Sequence, residues 1–270
     1  MIIKLDNVSF KYRGTRKEVL SGISLEIPEN RICGLLGKNG VGKSTLLYLI
    51  AGLLDPNGGT VKVGDMESRQ GKPEMLREMF LVPEEFTLPG VTLRQYVEMN
   101  RPFYPRFSDD ILRGCLQDFE MTEDVKMKEL SMGQKKKILI SFALATMTQV
   151  LLMDEPTNGL DIPSKAQFRK AVSRSMTDDR IIIVSTHQVH DIEQLLDHIV
   201  IMSNEGILLN NTTAEIAEKY VFETRTPQDM DEVLYAEPSL QGNLVMAPRA
   251  DRPETNINLE LLFNAVTQGK

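Results

Sequence analysis

Apolar and polar residues alternate in three short runs, SFKY (9–12), ISLEI (23–27) and TVKVG (60–64). A period of two turns one set of side chains inward and the other outward, so these runs predict strands of an antiparallel layer. RICGLL (31–36) is instead nearly continuous in its apolar residues, as in a buried strand, and a helix is predicted directly after it over 43–51. From 91 to 147 the pattern becomes helical. Ser108 is placed to cap a helix whose apolar set is Ile111, Leu112, Cys115, Leu116 and Phe119, and Ser131 to cap another. VLLMD (150–154) and IIIVS (181–185) then flank a helical stretch at 163–176, which makes a βαβ unit of a parallel sheet. HIVIM (198–202) and GILLN (206–210) form a strand pair turning at Asn204-Glu205-Gly206. Beyond Tyr220 the prolines Pro227, Pro238, Pro248 and Pro253 interrupt the pattern, and this tail is expected to be a small added domain or a cover. Within it, 257–266 (INLELLFNAV) returns to helical spacing with Asn258 as cap, whereas 228–250 carries the least information.

The formal net charge is −7, which argues against a broad face for nucleic-acid phosphates, because such binding needs a dense cationic surface. Cys33 and Cys115, the two cysteines, are far apart and suggest neither a disulfide scaffold nor a metal cluster; Cys33 reads as a small buried hydrophobe. His190 and His198 have no metal-ligand spacing and read as structural or solvated. The opening MIIKLDNVSFKY lacks the basic and apolar regions of a secretory leader. The nearest approach to a membrane span, 138–147, is broken by Ser141 and Thr146. A cytoplasmic chain, at most peripheral to a membrane, is expected.

Three motifs carry chemistry. GKNGVGKS (37–44) lies between the RICGLL strand and a helix, where backbone N–H groups and the positive helix end converge on one point. That point suits nucleotide phosphates, gripped by Gly37, Asn39, Gly40, Gly42, Lys43, Ser44 and Thr45, with Lys43 on the β and γ phosphates and the Ser44 hydroxyl on Mg²⁺. VLLMDEPTNGLD (150–161) ends a buried strand in two acids, at the side of a parallel sheet where ligands bind. Asp154 is expected to hold Mg²⁺ through water, and Glu155 to polarise an attacking water. ELSMGQKKK (129–137) sets three lysines after the Ser131 cap, where like-sign charge is unfavourable unless an anion lies near Ser131 and Gly133; the alternative is a solvated lysine face.

With these motifs in this order, the chain resembles the ATP-binding cassette (ABC) family, whose signature reads LSGGQ, over roughly residues 1 to 210. The resemblance implies an α/β P-loop NTPase (RecA-like) mixed sheet core with an antiparallel β layer. It also implies a helical subdomain inserted at about 88–147 of a domain 1–220, followed by an extension 221–270. In the family's pattern Tyr12 stacks on adenine, His187 in VSTH contacts the γ-phosphate, Asp161 in NGLD belongs to an interface loop, and Ser131, Gly133 and Gln134 are the signature residues. The likeness is nearest to ATPase subunits of small bacterial exporters, on the strength of FYPRF (103–107) and SMGQKKK (131–137). It implies ATP and Mg²⁺ as cofactors, a separate membrane-spanning permease as partner, and a location at the inner face of the cell membrane. Because the phosphate loop and the signature fall in different subdomains, a two-fold dimer is expected, either of two copies or of this chain with a related ATPase.

Two positions depart from the family. Met132 stands where the signature has glycine, and Glu84 in LVPEEF (81–86) where a mobile loop has glutamine. Glu84 adds a carboxylate beside Asp154 and Glu155, and is expected to bind nucleotide and metal with tighter metal dependence and altered coupling; the alternative is a side chain turned to solvent. Phe86, Tyr96, Phe103, Tyr104 and Phe107 cluster where the family receives a helix of the membrane subunit; some are core, and Phe86 is expected to dock the partner. Two functions are weighed: a transport-coupled Mg-dependent ATPase, and a soluble cassette ATPase acting on ribosomes or DNA. The single cassette, the absence of a heptad run and the negative charge favour the first. No NKxD motif supports a GTPase.

Overall fold

The computed structural model describes residues 1–268. Strands β1 (Ile3–Phe10) and β2 (Leu20–Ile27) pair antiparallel. The strand β3 (Arg31–Gly37) runs through the loop at 38–42 into helix α1 (Lys43–Ile50). β4 (Gly58–Val63) returns to pair with β1 and with the short β5 (Met66–Glu67), completing a four-stranded layer of order β2-β1-β4-β5. A four-residue helix α2 (Pro73–Leu76) leads to β6 (Met79–Val82).

Three helices follow: α3 (Leu93–Asn100), α4 (Asp109–Asp118) and α5 (Met132–Ala145). The caps foreseen at Ser108 and Ser131 are formed, each hydroxyl accepting from the backbone N–H three residues on. These helices have a small core of their own, in which Leu93, Val97, Leu112, Leu116, Met127 and Ile138 surround Phe142. Tyr96, Tyr104 and Phe107 pack on the Phe142 ring at centroid distances of 5.0, 6.0 and 5.5 Å, so three of the five aromatics in this region are core.

The chain returns as β7 (Val150–Asp154), α6 (Ile162–Arg174) and β8 (Ile181–Thr186), the expected βαβ unit, and then as β9 (His198–Ser203) and β10 (Gly206–Thr212). The central sheet has order β10-β9-β3-β8-β7-β6, with β10 antiparallel at one edge and the other five strands parallel. Every residue of β7 and β8 is buried, as continuous apolar runs covered on both faces require. Alternation along β3 divides two cores: Leu35 packs with α1 and the antiparallel layer, and Leu36 with α5 and α6.

Helix α7 (Thr213–Lys219) precedes a three-stranded antiparallel sheet of β11 (Tyr220–Arg225), β12 (Tyr235–Ser239) and β13 (Gly242–Pro248), with β13 in the middle. The prolines read as interruptions fall where proline costs little: Pro238 in the edge strand β12, and Pro248 as the last residue of β13. The closing helix α8 (Leu259–Gln268) is capped by Asn258, whose side chain accepts from Leu261 N–H at 2.9 Å. Its buried Leu259, Leu261, Leu262 and Ala265 join the core beneath α5 and α6, so the tail has no separate hydrophobic centre on that side.

Candidate active site

Because β3, β8, β7 and β6 are parallel neighbours, their carboxyl ends open on one edge. Register aligns Leu36 with Thr186, Asp154 with Ser185, and Val82 with Met153. The segments that leave those ends are the 37–44 loop, His187, Asp154-Glu155 and Glu84. They meet around a cavity of about 390 Å³ lined by Tyr12, Val19, Asn39, Gly40, Gly42, Lys43, Ser44, Thr45, Glu84, Glu155 and His187.

The loop needs its glycines. Gly42, at the N-cap of α1, has φ 103°, and a Cβ there would lie 2.8 Å from a Leu20 methyl carbon. At Gly37 a Cβ would meet Val41 at 2.8 Å and the Met202 carbonyl at 2.9 Å. The first turn of α1 holds no acidic side chain, so no negative group of its own competes at its positive end. Lys43 is buried; its ammonium donates to Gly37 O at 2.8 Å and lies 3.7 Å from Glu155 Oε1. Burial lowers the Lys43 pKa, with Glu155 and Asp154 pulling in the opposite direction.

Glu155 and Asp154 are 4 % and 1 % exposed. Glu155 N–H donates to Ser185 O at 3.1 Å, with the backbone held in the left-handed region at φ 45°. Its Oε1 lies 2.9 Å from His187 Nδ1; a carboxylate only accepts, so Nδ1 carries the proton of this bond. Ser185 Oγ donates to Asp154 Oδ1. The other oxygens of the two acids, Asp154 Oδ2 and Glu155 Oε2, are buried with no hydrogen-bonding partner. A buried carboxylate oxygen is costly to leave unpaired, so both await a ligand, a water or an ion. Tyr12 stands at the mouth, its ring edge-on to Phe10 at 4.9 Å and its hydroxyl 3.1 Å from Thr45 Oγ1.

Glu84 is exposed and lines the cavity, and its Oε1 accepts from Asn158 Nδ2 at 3.2 Å. Asn158 Oδ1 in turn accepts from Gln188 Nε2 at 3.3 Å. Nothing in the sequence singles out Asn158, Gln188 or Ser185, and Val19 carries no signal at all, since it follows an irregular loop. Asn158 and Ser185 sit inside the motifs NGLD and VSTH, whose spacing alone gives them no role.

Ser131, Gly133, Gln134 and Asp161 do not line the cavity. Ser131 and Gln134 close a capping box at the start of α5, with Ser131 N–H donating to Gln134 Oε1 at 3.0 Å. Asp161 caps α6, its carboxylate held below the usual range by hydrogen bonds from Ser164. Gly133 touches the second motif, since a Cβ on it would lie 3.2 Å from Gly159 O.

Two expectations need correction. The lysine run is neither a solvated face nor an anion site as a unit: Lys136 is buried and donates to the Glu155 and Asn158 carbonyls at 2.9 and 3.0 Å, because position 136 falls on the inward side of α5. Phe86 is half-buried and packs on the main core, so it does not present a docking ring. The exposed aromatic is Phe103, 66 % accessible, in a groove with Pro73, Leu76, Arg77, Pro102, Tyr104 and Pro105.

Among the described residues no helix is long and apolar enough to cross a membrane. The family model described as ABC transporter matches residues 20–158. The chain is 31% identical over 216 residues to an uncharacterized ABC transporter ATP-binding protein of Haemophilus influenzae, covering 76% of this chain and 81% of that one. It is 29% identical over 238 residues to the petrobactin import ATP-binding protein FatE of Bacillus anthracis, covering 83% and 94%. Among solved structures, an ATP-binding subunit of an ABC transporter shares the fold at TM-score 0.71 and 23% identity, over 80% of this chain and 92% of that one. The phosphate loop, the paired acids, the histidine and the fold agree with these likenesses: the chain belongs to the ABC transporter family, as its ATP-binding ATPase component.

Proposed function

We propose that this chain is the cytoplasmic ATPase subunit of an exporter. It lies at the inner face of the membrane against a separate permease and works as a two-fold dimer around two ATP molecules. The observation that carries this reading is the convergence of Lys43, Ser44, Glu84, Glu155 and His187 on one cavity, with Asp154 buried next to Glu155 at the strand end, while the signature at Ser131 lies outside it. A second subunit, turned head to tail, supplies the missing wall with Ser131, Gly133 and Gln134, and Asp161 at the seam.

In this mechanism the loop amides and Lys43 bind the phosphates, Lys43 leaving its Gly37 contact to do so. Tyr12 offers its ring to the base. The residues fit Mg²⁺: the Ser44 hydroxyl, the unpartnered Asp154 Oδ2 and the Glu84 carboxylate are hard oxygen donors. Mg²⁺ keeps several waters and phosphate oxygens among its ligands, so a few protein oxygens suffice. When bound, the ion neutralises charge on the phosphates. Glu155 accepts the proton of the attacking water through the free Oε2, while His187 keeps its other oxygen fixed. A base of this kind contributes on the order of 10² to 10⁴-fold in rate.

Phe103 and its groove are where a helix of the permease docks. Export rests on FYPRF and SMGQKKK; the Bacillus anthracis relative is named for import. Vesicles reconstituted with the permease test both points. ATP-driven efflux from the side bearing this subunit is expected, and uptake towards it would reverse the direction. Association with ribosomes or DNA in place of a membrane protein would support the other reading, which the net charge of −7 disfavours.

A further inference from the structure

Lys136 joins parts of the molecule that the reaction must keep in step. It lies on α5, five residues after the Ser131 cap, and is 4 % exposed. Its ammonium donates to two main-chain carbonyls, those of Glu155 and Asn158. Between these two residues runs the turn that carries the catalytic carboxylate, begun by the left-handed φ of 45° at Glu155. Such a backbone persists only where its surroundings hold it. Asn158 is also a junction: its amide nitrogen donates to Glu84, its amide oxygen accepts from Gln188, and Gln188 adjoins His187. The start of α5 rests on the same segment, where Gly133 leaves room for Gly159 O.

We propose that Lys136 is a positioning residue, which clamps the 155–158 turn so that Glu155 faces the site and which carries a shift of the signature helix to that turn. The second half rests on the dimer reading, because in it the signature covers the twin's nucleotide. A helix movement at Ser131 then reaches Glu155, Glu84 and His187 through one cation and one asparagine. Glu84 is the strongest of the surrounding carboxylates in favouring the charged form of Lys136, against a lowering of its pKa by burial.

The test compares wild type with Lys136→Met, of similar length but with no donor, and Lys136→Gln, which keeps one. Amide exchange is followed first, without nucleotide, over the 155–158 turn. Lys136→Met is expected to speed exchange there by about tenfold or more and Lys136→Gln by less, because the clamp is what opposes local opening. In turnover, kcat should fall roughly 100-fold in Lys136→Met and roughly 3- to 10-fold in Lys136→Gln, with KM for ATP within about twofold, as misplacement of a catalytic group demands. Should Lys136→Met fail to fold, Lys136→Gln decides alone. Wild-type exchange and wild-type kcat in Lys136→Gln overturn the proposal, as does a loss of kcat matched by an equal loss of ATP affinity. Wild-type protein that neither binds nor turns over ATP overturns the underlying reading, and the proposal with it.

Discussion

Oε1 of Glu155 and Nδ1 of His187 lie 2.9 Å apart, although the residues are 32 positions apart and leave neighbouring strands. The bond fixes one carboxylate oxygen and leaves Oε2 buried without a hydrogen-bonding partner. Replacing His187 by alanine should therefore lower kcat by at least about tenfold while ATP still binds, since orientation and not affinity is lost. Steady-state kinetics beside equilibrium nucleotide binding separate the two.

Lys43→Ala acts on the other side of the balance. It removes a buried ammonium from a site built for phosphate, and charge-assisted contacts are each worth about 1.5–3 kcal/mol, so ATP affinity should fall roughly 10- to 150-fold. Calorimetric titration measures it, and an unchanged affinity would place the phosphates elsewhere.

Glu84→Gln retains the oxygen that accepts from Asn158 but removes a charge from the wall of the cavity. The magnesium concentration for half-maximal ATPase rate should shift upward, because a carboxylate binds the ion better than an amide. Superimposable magnesium curves for the two proteins would leave Glu84 no metal role.

Phe103→Glu should spare ATP binding and abolish co-purification with the permease, since its ring is exposed in a groove that shares no residue with the phosphate cavity. Phe86→Glu, by contrast, buries a charge against the main core and should lower the melting temperature.

His190 Nε2 lies 2.7 Å from Glu260 on α8, and that carboxylate, joined by Glu193, raises the histidine pKa above its usual 6.5. The pair's contribution is complete below pH 6.5 and is lost as pH rises through the raised value. Because the imidazole is largely exposed, the effect is small: wild type should melt roughly 1–2 °C above His190→Gln at pH 6, and the gap should close by about pH 9.

Local chemistry made the site legible in the sequence. Lys43, Ser44, Asp154, Glu155 and His187 stand at strand ends that alternation and continuous apolar runs reveal, and parallel topology brings such ends together. Lys136 was hidden in a run of three lysines, because a charge pattern says nothing of which side chain turns inward. Phe86 and Phe103 look alike in sequence and differ only in what packs above them. Strands β11 to β13 were missed because prolines at an edge and at a strand end read as breaks.

The central claim is that ATP is held between Lys43 of one subunit and the Ser131 signature of another, with Glu155 driving hydrolysis. It is tested most directly by native mass spectrometry of Glu155→Gln with ATP and Mg²⁺. A stable dimer carrying two unhydrolysed ATP molecules is expected, dispersed to monomers by Lys43→Ala. A protein that remains monomeric and free of nucleotide would contradict it.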